Sequence, residues 1–256
     1  MRLPLLPLSL ALFAPAAAAQ PNSEPVPPAA APPEASEGEA SAPQRVFIAA
    51  EQREGFTAGL RLGVGVPYGN AGRDTAGGDR ELSDLTTVRV PVWVDVGYSF
   101  GALTLGIYGQ VGVGVSGDAC IGDCDWSDVR VGAQGELRFA PGAPVDPWLG
   151  VGLGVESLSY RTLAESAVVD PSTSQPLTVR ATERFVGPEL LLHAGVDFQV
   201  EDALRFGPFA ALSVGQYVAD SYNCTPDSPL CRGGSSVDGG ALHGWISVGL
   251  RGAYTP

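Results

Sequence analysis

A histidine and a serine stand four residues apart in His243-Gly-Trp-Ile-Ser247, residue types that a nucleophilic site pairs as base and nucleophile. Glu189, His193 and Asp197 repeat the same spacing with types that bind metals or carry protons. Four residues of a strand span about 13 Å. That is too far for direct proton transfer in the first set, or for one metal shared by consecutive members of the second. On a strand both sets are polar groups along one face, suited to ordinary interior hydrogen bonding. A third candidate is Gly112-Val-Gly-Val-Ser-Gly-Asp118, which contains the G-x-G-x-x-G of dinucleotide-binding turns. That fingerprint needs a strand before it and a helix after it. A polar, cysteine-containing loop follows Gly117 instead, so no cofactor is expected. The acidic residue that the fingerprint wants about 20 positions on would be Glu136, which belongs to the inward face of another strand.

The four cysteines form two close pairs, Cys120 with Cys124 and Cys224 with Cys231. Each pair sits in a single polar loop, which favours local disulfides in an oxidising compartment. Metal binding beside Asp118, Asp123 and Asp125 is the alternative, although no C-x-x-C or His accompanies them. The other loops are acidic as well, with Asp74, Asp79, Glu81, Asp220 and Asp227. Solvation is the simpler role for these groups. A calcium site would require several oxygens converging on one point.

The ends and the composition set the compartment. Met1-Arg-Leu-Pro opens an apolar stretch that closes in Ala-Ala-Ala before Gln20, the pattern of a secretory signal cleaved after Ala19. Residues 20–44 are Pro, Ala, Glu and Ser with almost no large apolar side chain, which predicts a disordered acidic tether. All 15 basic residues are Arg, the net charge is −13, and no basic run exists. Nucleic-acid binding is therefore not expected.

From about residue 54 apolar side chains alternate with Gly and polar residues at a period of two, the period of a strand. Phe56, Ala58, Leu60, Leu62, Val64 and Val66 oppose Gly55, Thr57, Gly59, Arg61, Gly63 and Gly65. Seven further stretches repeat the pattern, centred near residues 94, 109, 134, 152, 192, 209 and 248. Connections after the second, fourth and sixth are short (99–102, 140–147, 201–203). Those after the first, third, fifth and seventh are long and polar, and both cysteine pairs lie among them. The expected fold is all-β: an eight-stranded antiparallel up-and-down barrel with one short-turned rim and one long-looped rim. Pro91, Pro188 and Pro208 are expected near the starts of their strands, where proline is best tolerated.

Alternation alone leaves open which face is outside. A soluble lipocalin-like barrel would turn its apolar face inward around a lipophilic ligand. A transmembrane barrel would turn it outward to lipid, and three features favour the latter. The strands run roughly 10 to 14 residues, long enough to cross a bilayer at a steep tilt. Phe56, Tyr98, Phe100, Phe139, Phe198, Phe206 and Tyr254 all fall on the apolar face at the short-turn rim, as an interfacial aromatic girdle requires. The opposite face carries Arg61, Arg89, Asp95, Arg130, Glu136, Arg138, Glu156, Glu189, His193, Asp197, Arg205 and Arg251, nearly balanced in sign as an interior polar network would be. Eight strands enclose just enough room for such side chains, with glycines where long ones must pass. A wide pore is not expected.

On signal, strand count, girdle and loop asymmetry, residues 54–256 resemble the small eight-stranded outer-membrane barrels of Gram-negative bacteria, the OmpA/OmpX-like group. The resemblance implies short periplasmic turns, long extracellular loops, and contact with outer-membrane lipid and lipopolysaccharide. It also implies insertion by the barrel-assembly machinery, which commonly reads a terminal aromatic. Here the chain ends Tyr254-Thr-Pro256, a departure from that pattern. The leading expectation is a non-enzymatic barrel with a structural or surface-interaction role and an extracellular partner that the sequence does not name. The alternatives are the soluble lipocalin-like carrier, a narrow porin-like channel, and a lipid A-modifying enzyme using His243 and Ser247.

Overall fold

In the computed structural model the described residues are 54–73, 78–117, 120, 123–169, 176–225 and 241–255. The expected signal peptide and tether, Asp74, Asp118, Asp227 and Cys231 lie outside them. The elements run β1 (Glu54–Arg73), β2 (Asp79–Glu81), α1 (Leu82–Leu85), β3 (Thr86–Phe100), β4 (Leu103–Ser116) and β5 (Asp123–Arg138). They continue with β6 (Val145–Val169), β7 (Pro176–Gln199), β8 (Leu204–Tyr217), β9 (Ala219–Thr225) and β10 (Ala241–Tyr254).

Each long strand pairs antiparallel with its neighbours in the order β10-β8-β7-β6-β5-β4-β3-β1, and β10 pairs back onto β1. That last ladder runs from Ala58 opposite Tyr254 to Gly69 opposite His243. The sheet is thereby closed: an eight-stranded up-and-down barrel, with β2 and β9 as accessory strands at the long-looped end. Closure removes the open edges that a sheet of this length would otherwise expose. At the short-turned end, Gly101 takes a positive φ of 72° in the two-residue link between β3 and β4, a conformation open to glycine without strain.

The apolar face is the outer one. Leu60, Val94, Ile107, Val131, Leu153, Leu192 and Val248 are all exposed, Ile107 and Leu153 at 67%. At about 3.3 Å per residue and a tilt of about 40°, the outward row Leu103 to Val115 of β4 makes a belt about 30 Å tall. An outward apolar belt and an inward charged face are the reverse of what a lipocalin-like carrier presents.

Three local expectations are corrected. The long connection after the fifth predicted strand is mostly strand: β6 and β7 stay paired from Val145 opposite Phe198 up to Glu165 opposite Thr178. Beyond the belt the outward face no longer needs to be apolar, so the alternation fades while the ladder continues. The short connection predicted over 140–147 ends earlier, because β6 begins at Val145 and carries Asp146 into the barrel. Pro188 sits in the middle of β7 rather than near its start. It lies where the partner strand breaks: β7 pairs β8 at Glu189 opposite Gly215 and β9 at Val186 opposite Ala219, with Val218 N–H bridging to Val186 O at 3.0 Å. A proline that cannot donate is tolerated at such an interruption.

Candidate functional site

The inward residues of the eight strands form one continuous polar core in three tiers. Nearest the short turns, Arg138 of β5 donates to Asp146 at 2.8 Å and to Asp197 at 3.1 Å. Arg205 of β8 reaches Asp146 at 3.3 Å. Trp148 Nε1 donates to the other oxygen of Asp197 at 3.1 Å, and Asp146 accepts the Ala140 N–H at 3.2 Å. A void lined by Ser99, Arg138, Asp146, Arg205 and Thr255 holds only about 10 Å³, at or below what one water needs.

In the middle tier Arg61 of β1 spends its guanidinium on three strands. It donates to Asp95 at 2.9 Å, to Glu136 Oε1 at 2.6 Å and to His193 at 2.7 Å. A guanidinium only donates, so Nδ1 of His193 is the acceptor. Arg251 of β10 completes the tier at 2.9 Å from Glu136 Oε2 and 3.6 Å from Asp95. Trp148 backs both cations, its ring centre 5.4 Å from Arg61 and 4.5 Å from Arg251, a favourable cation–π placement where water is excluded.

The upper tier is organised by Arg130 of β5. Its three nitrogens donate to Asp128 at 2.9 Å, Glu189 at 2.6 Å and Glu156 at 2.8 Å. Arg89 also holds Asp128, at 2.7 Å, and lies 4.1 Å over the Trp245 ring. Glu156 further accepts from Tyr217 at 3.2 Å and Trp245 at 3.1 Å and contacts His243 Nε2 at 2.9 Å. Six arginines meet seven carboxylates across the tiers, all of them nearly or fully buried. Buried charges persist only when paired and hydrogen-bonded in this way.

Each of the 12 inward charged or histidine positions expected from the alternation is on the inner face and buried. Asp128 and Asp146, both fully buried, were not among them. The first lies where the alternation fades at the start of β5, and the second lies in what reads as a turn. The candidate chemistry does not assemble. His243 is bound to Glu156 and stacked on Tyr217 with ring centres 3.6 Å apart, while Ser247 accepts from Arg89 at 3.3 Å. Glu189, His193 and Asp197 sit in three different tiers. Among the described residues no three His, Cys, Asp or Glu side chains gather to hold a metal.

Glycine clears the path for these long side chains. The Tyr108 ring lies across Gly132, Gly152 and Gly154 and donates its hydroxyl to Glu189 at 2.9 Å. A Cβ at Gly132 would stand 2.6 Å from Tyr108 Cε1 and 2.8 Å from Gly154 Cα. We expect Gly132→Val to destabilise the refolded barrel by about 1–3 kcal/mol through overpacking against the Leu153 carbonyl and the ring, read as a lower urea midpoint; an unchanged midpoint would show that both the ring and the neighbouring strand yield without cost. Gly112 and Gly114 of the G-x-G-x-x-G stretch serve the same end. Gly112 faces the Asp128 carboxylate and Gly114 the Trp126 ring, while the Gly117 N–H donates to Leu85 O at 2.9 Å.

At the long-looped end an apolar plug covers the polar core. Leu82 and Leu85 of α1 are fully buried against Trp126, Leu158, Tyr160, Phe185 and Trp245. Arg80 pairs with Glu183 at 2.8 Å and lies over Tyr160. Burial pushes the Tyr160 phenol above its ordinary value, so it donates, to the Cys124 sulfur at 3.3 Å. Cys124 is joined to Cys120; Cys224 is also disulfide-bonded. The seven aromatics Phe56, Tyr98, Phe100, Phe139, Phe198, Phe206 and Tyr254 are near the short-turned end on the outer face. Phe56 stands opposite Tyr98 and Phe198 opposite Phe206.

No protein-family model matches the chain, and no curated protein matches it. Solved structures do. Neisserial surface protein A is 13% identical with a TM-score of 0.44, over 77% of this chain and 95% of that one. The outer membrane protein OprG from Pseudomonas aeruginosa is 9% identical with a TM-score of 0.40, over 80% and 98%. Ail, the attachment invasion locus protein of Yersinia pestis, is 11% identical with a TM-score of 0.36, over 77% and 98%.

Proposed function

We propose that this chain is an outer-membrane barrel of a Gram-negative cell, a closed, non-enzymatic scaffold that carries an extracellular surface. The observation that supports it best is the pairing of an outward apolar belt with a lumen crossed by ion pairs on every tier. Lipid must meet the belt, since every other solvent would leave it unsatisfied. Ions and solutes meet guanidinium–carboxylate pairs that already occupy the cross-section. On this reading the outward aromatics near the short turns lie at the inner-leaflet interface. Residues 1–19 direct export, and residues 20–44 are a periplasmic tether.

Two measurements test the proposal. The protein should fractionate with outer membranes, need detergent for release, and migrate on gels differently before and after boiling; recovery in the soluble periplasm would overturn the membrane assignment. In planar bilayers the refolded barrel should show no steady, large conductance. A stable open channel would overturn the closed scaffold and favour the narrow-porin alternative.

A further inference from the structure

Among the described side chains every exposed arginine lies in one place: Arg161, Arg180 and Arg184. Arg161 of β6 stands opposite Thr182 of β7, and Arg180 and Arg184 flank Thr182 two residues to either side. The three therefore share one face of the sheet. Arg161 is a diagonal neighbour of both others, with Cα atoms about 7–8 Å apart. Their parity is that of Val155 and Leu190, so they point outward, away from the barrel axis, on the same surface as the lipid-facing belt.

Their height is as informative as their direction. Among the described side chains of β6, Val155 is the last exposed outward apolar residue; Ser157 and Ser159 follow, then Arg161 and the part-exposed Leu163. Arg184 stands opposite Ser159. Arg180 stands opposite Leu163, so at about 3.3 Å per residue and a tilt of about 40° the cluster spans about 10 Å (Arg184) to about 20 Å (Arg180) above Val155. Arginine side chains can reach several ångströms back down toward that boundary. Arg184 Nε donates to Ser157 Oγ at 2.8 Å, which anchors its guanidinium toward the lipid side. Ser159, Thr182, Ser221 and Asn223 surround the cluster with hydrogen-bonding groups. Asp125 stands opposite Arg161 and Asp123 opposite Leu163 on the neighbouring strand, and neither forms an ion pair with these arginines among the described residues.

Like charges on neighbouring sheet positions destabilise each other, and a chain of net charge −13 has no general need for such a cluster. An anion at the headgroup level removes the conflict. Guanidinium groups bind phosphate through paired, charge-assisted hydrogen bonds. We propose that Arg161, Arg180 and Arg184 form a binding site for the phosphate groups of a lipopolysaccharide molecule in the surrounding outer leaflet, one specific lipid position on the β6–β7 side of the barrel. This rests on the outer-membrane reading above. A soluble polyanion approaching from outside is the competing occupant. The outward, belt-continuous placement favours the lipid.

The test uses the full-length protein refolded in detergent, with lipid binding followed by native mass spectrometry. The probes are bisphosphorylated lipid A, the same lipid A with its phosphates removed, inorganic phosphate, and a soluble sulfated polysaccharide. Bisphosphorylated lipid A should bind about tenfold or more tighter than the dephosphorylated form. The triple variant Arg161→Gln, Arg180→Gln, Arg184→Gln should lose that preference, and the corresponding triple Lys variant should keep part of it. Equal binding of the two lipid forms, or full binding by the Gln variant, would overturn the site. Arginine-dependent binding of inorganic phosphate or of the polysaccharide, without preference for phosphorylated lipid A, would overturn the lipid as occupant. Failure of the membrane assignment itself shows separately, in the fractionation.

Discussion

Arg130→Met should be the most damaging single change in the barrel. It leaves Asp128, Glu156 and Glu189 in one water-excluded tier, with Arg89 as the remaining arginine there. Removing one partner of a buried ion pair typically costs about 3–5 kcal/mol, because the other charge is stranded. Here three carboxylates lose a partner at once. Urea unfolding of the refolded protein, followed by tryptophan fluorescence, should report a loss of at least that order. The cause can be separated from lost packing. Adding Glu156→Gln and Glu189→Gln to Arg130→Met should recover part of the stability, since neutral amides are cheaper to leave in the tier than carboxylates. An Arg130→Met barrel within about 0.5 kcal/mol of the parent, the range of an ordinary surface change, would mean that water reaches the tier and screens the charges.

Ile107→Arg should be the most damaging change on the outer surface. Ile107 is 67% exposed and flanked across its two ladders by Val96 and Ala133, near the middle of the belt. A charge at the midplane of a bilayer costs a barrel about 2–4 kcal/mol, falling to about 0–1 kcal/mol near the interfaces. Val115→Arg, at the upper edge on the same strand, should therefore cost much less. The contrast between two outward positions of similar exposure, 67% and 62%, is the signature of lipid. For a soluble barrel both would fall within about 0.5 kcal/mol, and that result, measured in liposomes, would remove the membrane reading.

Both predictions combine information of two kinds. That Arg130 faces inward and Ile107 outward follows from a period of two, which is local: neighbouring side chains on a strand must point to opposite faces. That Arg130 is the centre of its tier does not follow. Its partners Glu156 and Glu189 lie 26 and 59 residues away, and Arg61 meets His193 across 132. Such pairings depend on shear and tilt, which set the level at which one strand meets another.

The misses have two causes. Asp128, the long extension of β6 and β7, and β9 fall where the wall leaves the belt and the outward face is free to be polar, whereas Asp146 follows a Pro-Gly-Ala-Pro run that reads as a turn. The alternation is imposed by lipid on one side and a filled lumen on the other, and it disappears when the lipid does. Helix α1 was invisible for a related reason. Its four residues are too few to display a helical period, and only burial under the plug holds them.

The sequence by itself determined that the chain is a set of alternating strands, even in number, with charge on one face and lipid-soluble side chains on the other. It also determined that Gly112 and Gly114 continue the inward row of Gly106 and that Gly117 opens a loop. Only the tertiary structure decided which charges pair, that the lumen is crossed on every tier, that an apolar plug covers it, and that Arg161 shares one outer face with Arg180 and Arg184 across the β6–β7 ladder. Side-chain direction is a property of neighbouring residues, whereas contact across a barrel is a property of its closure.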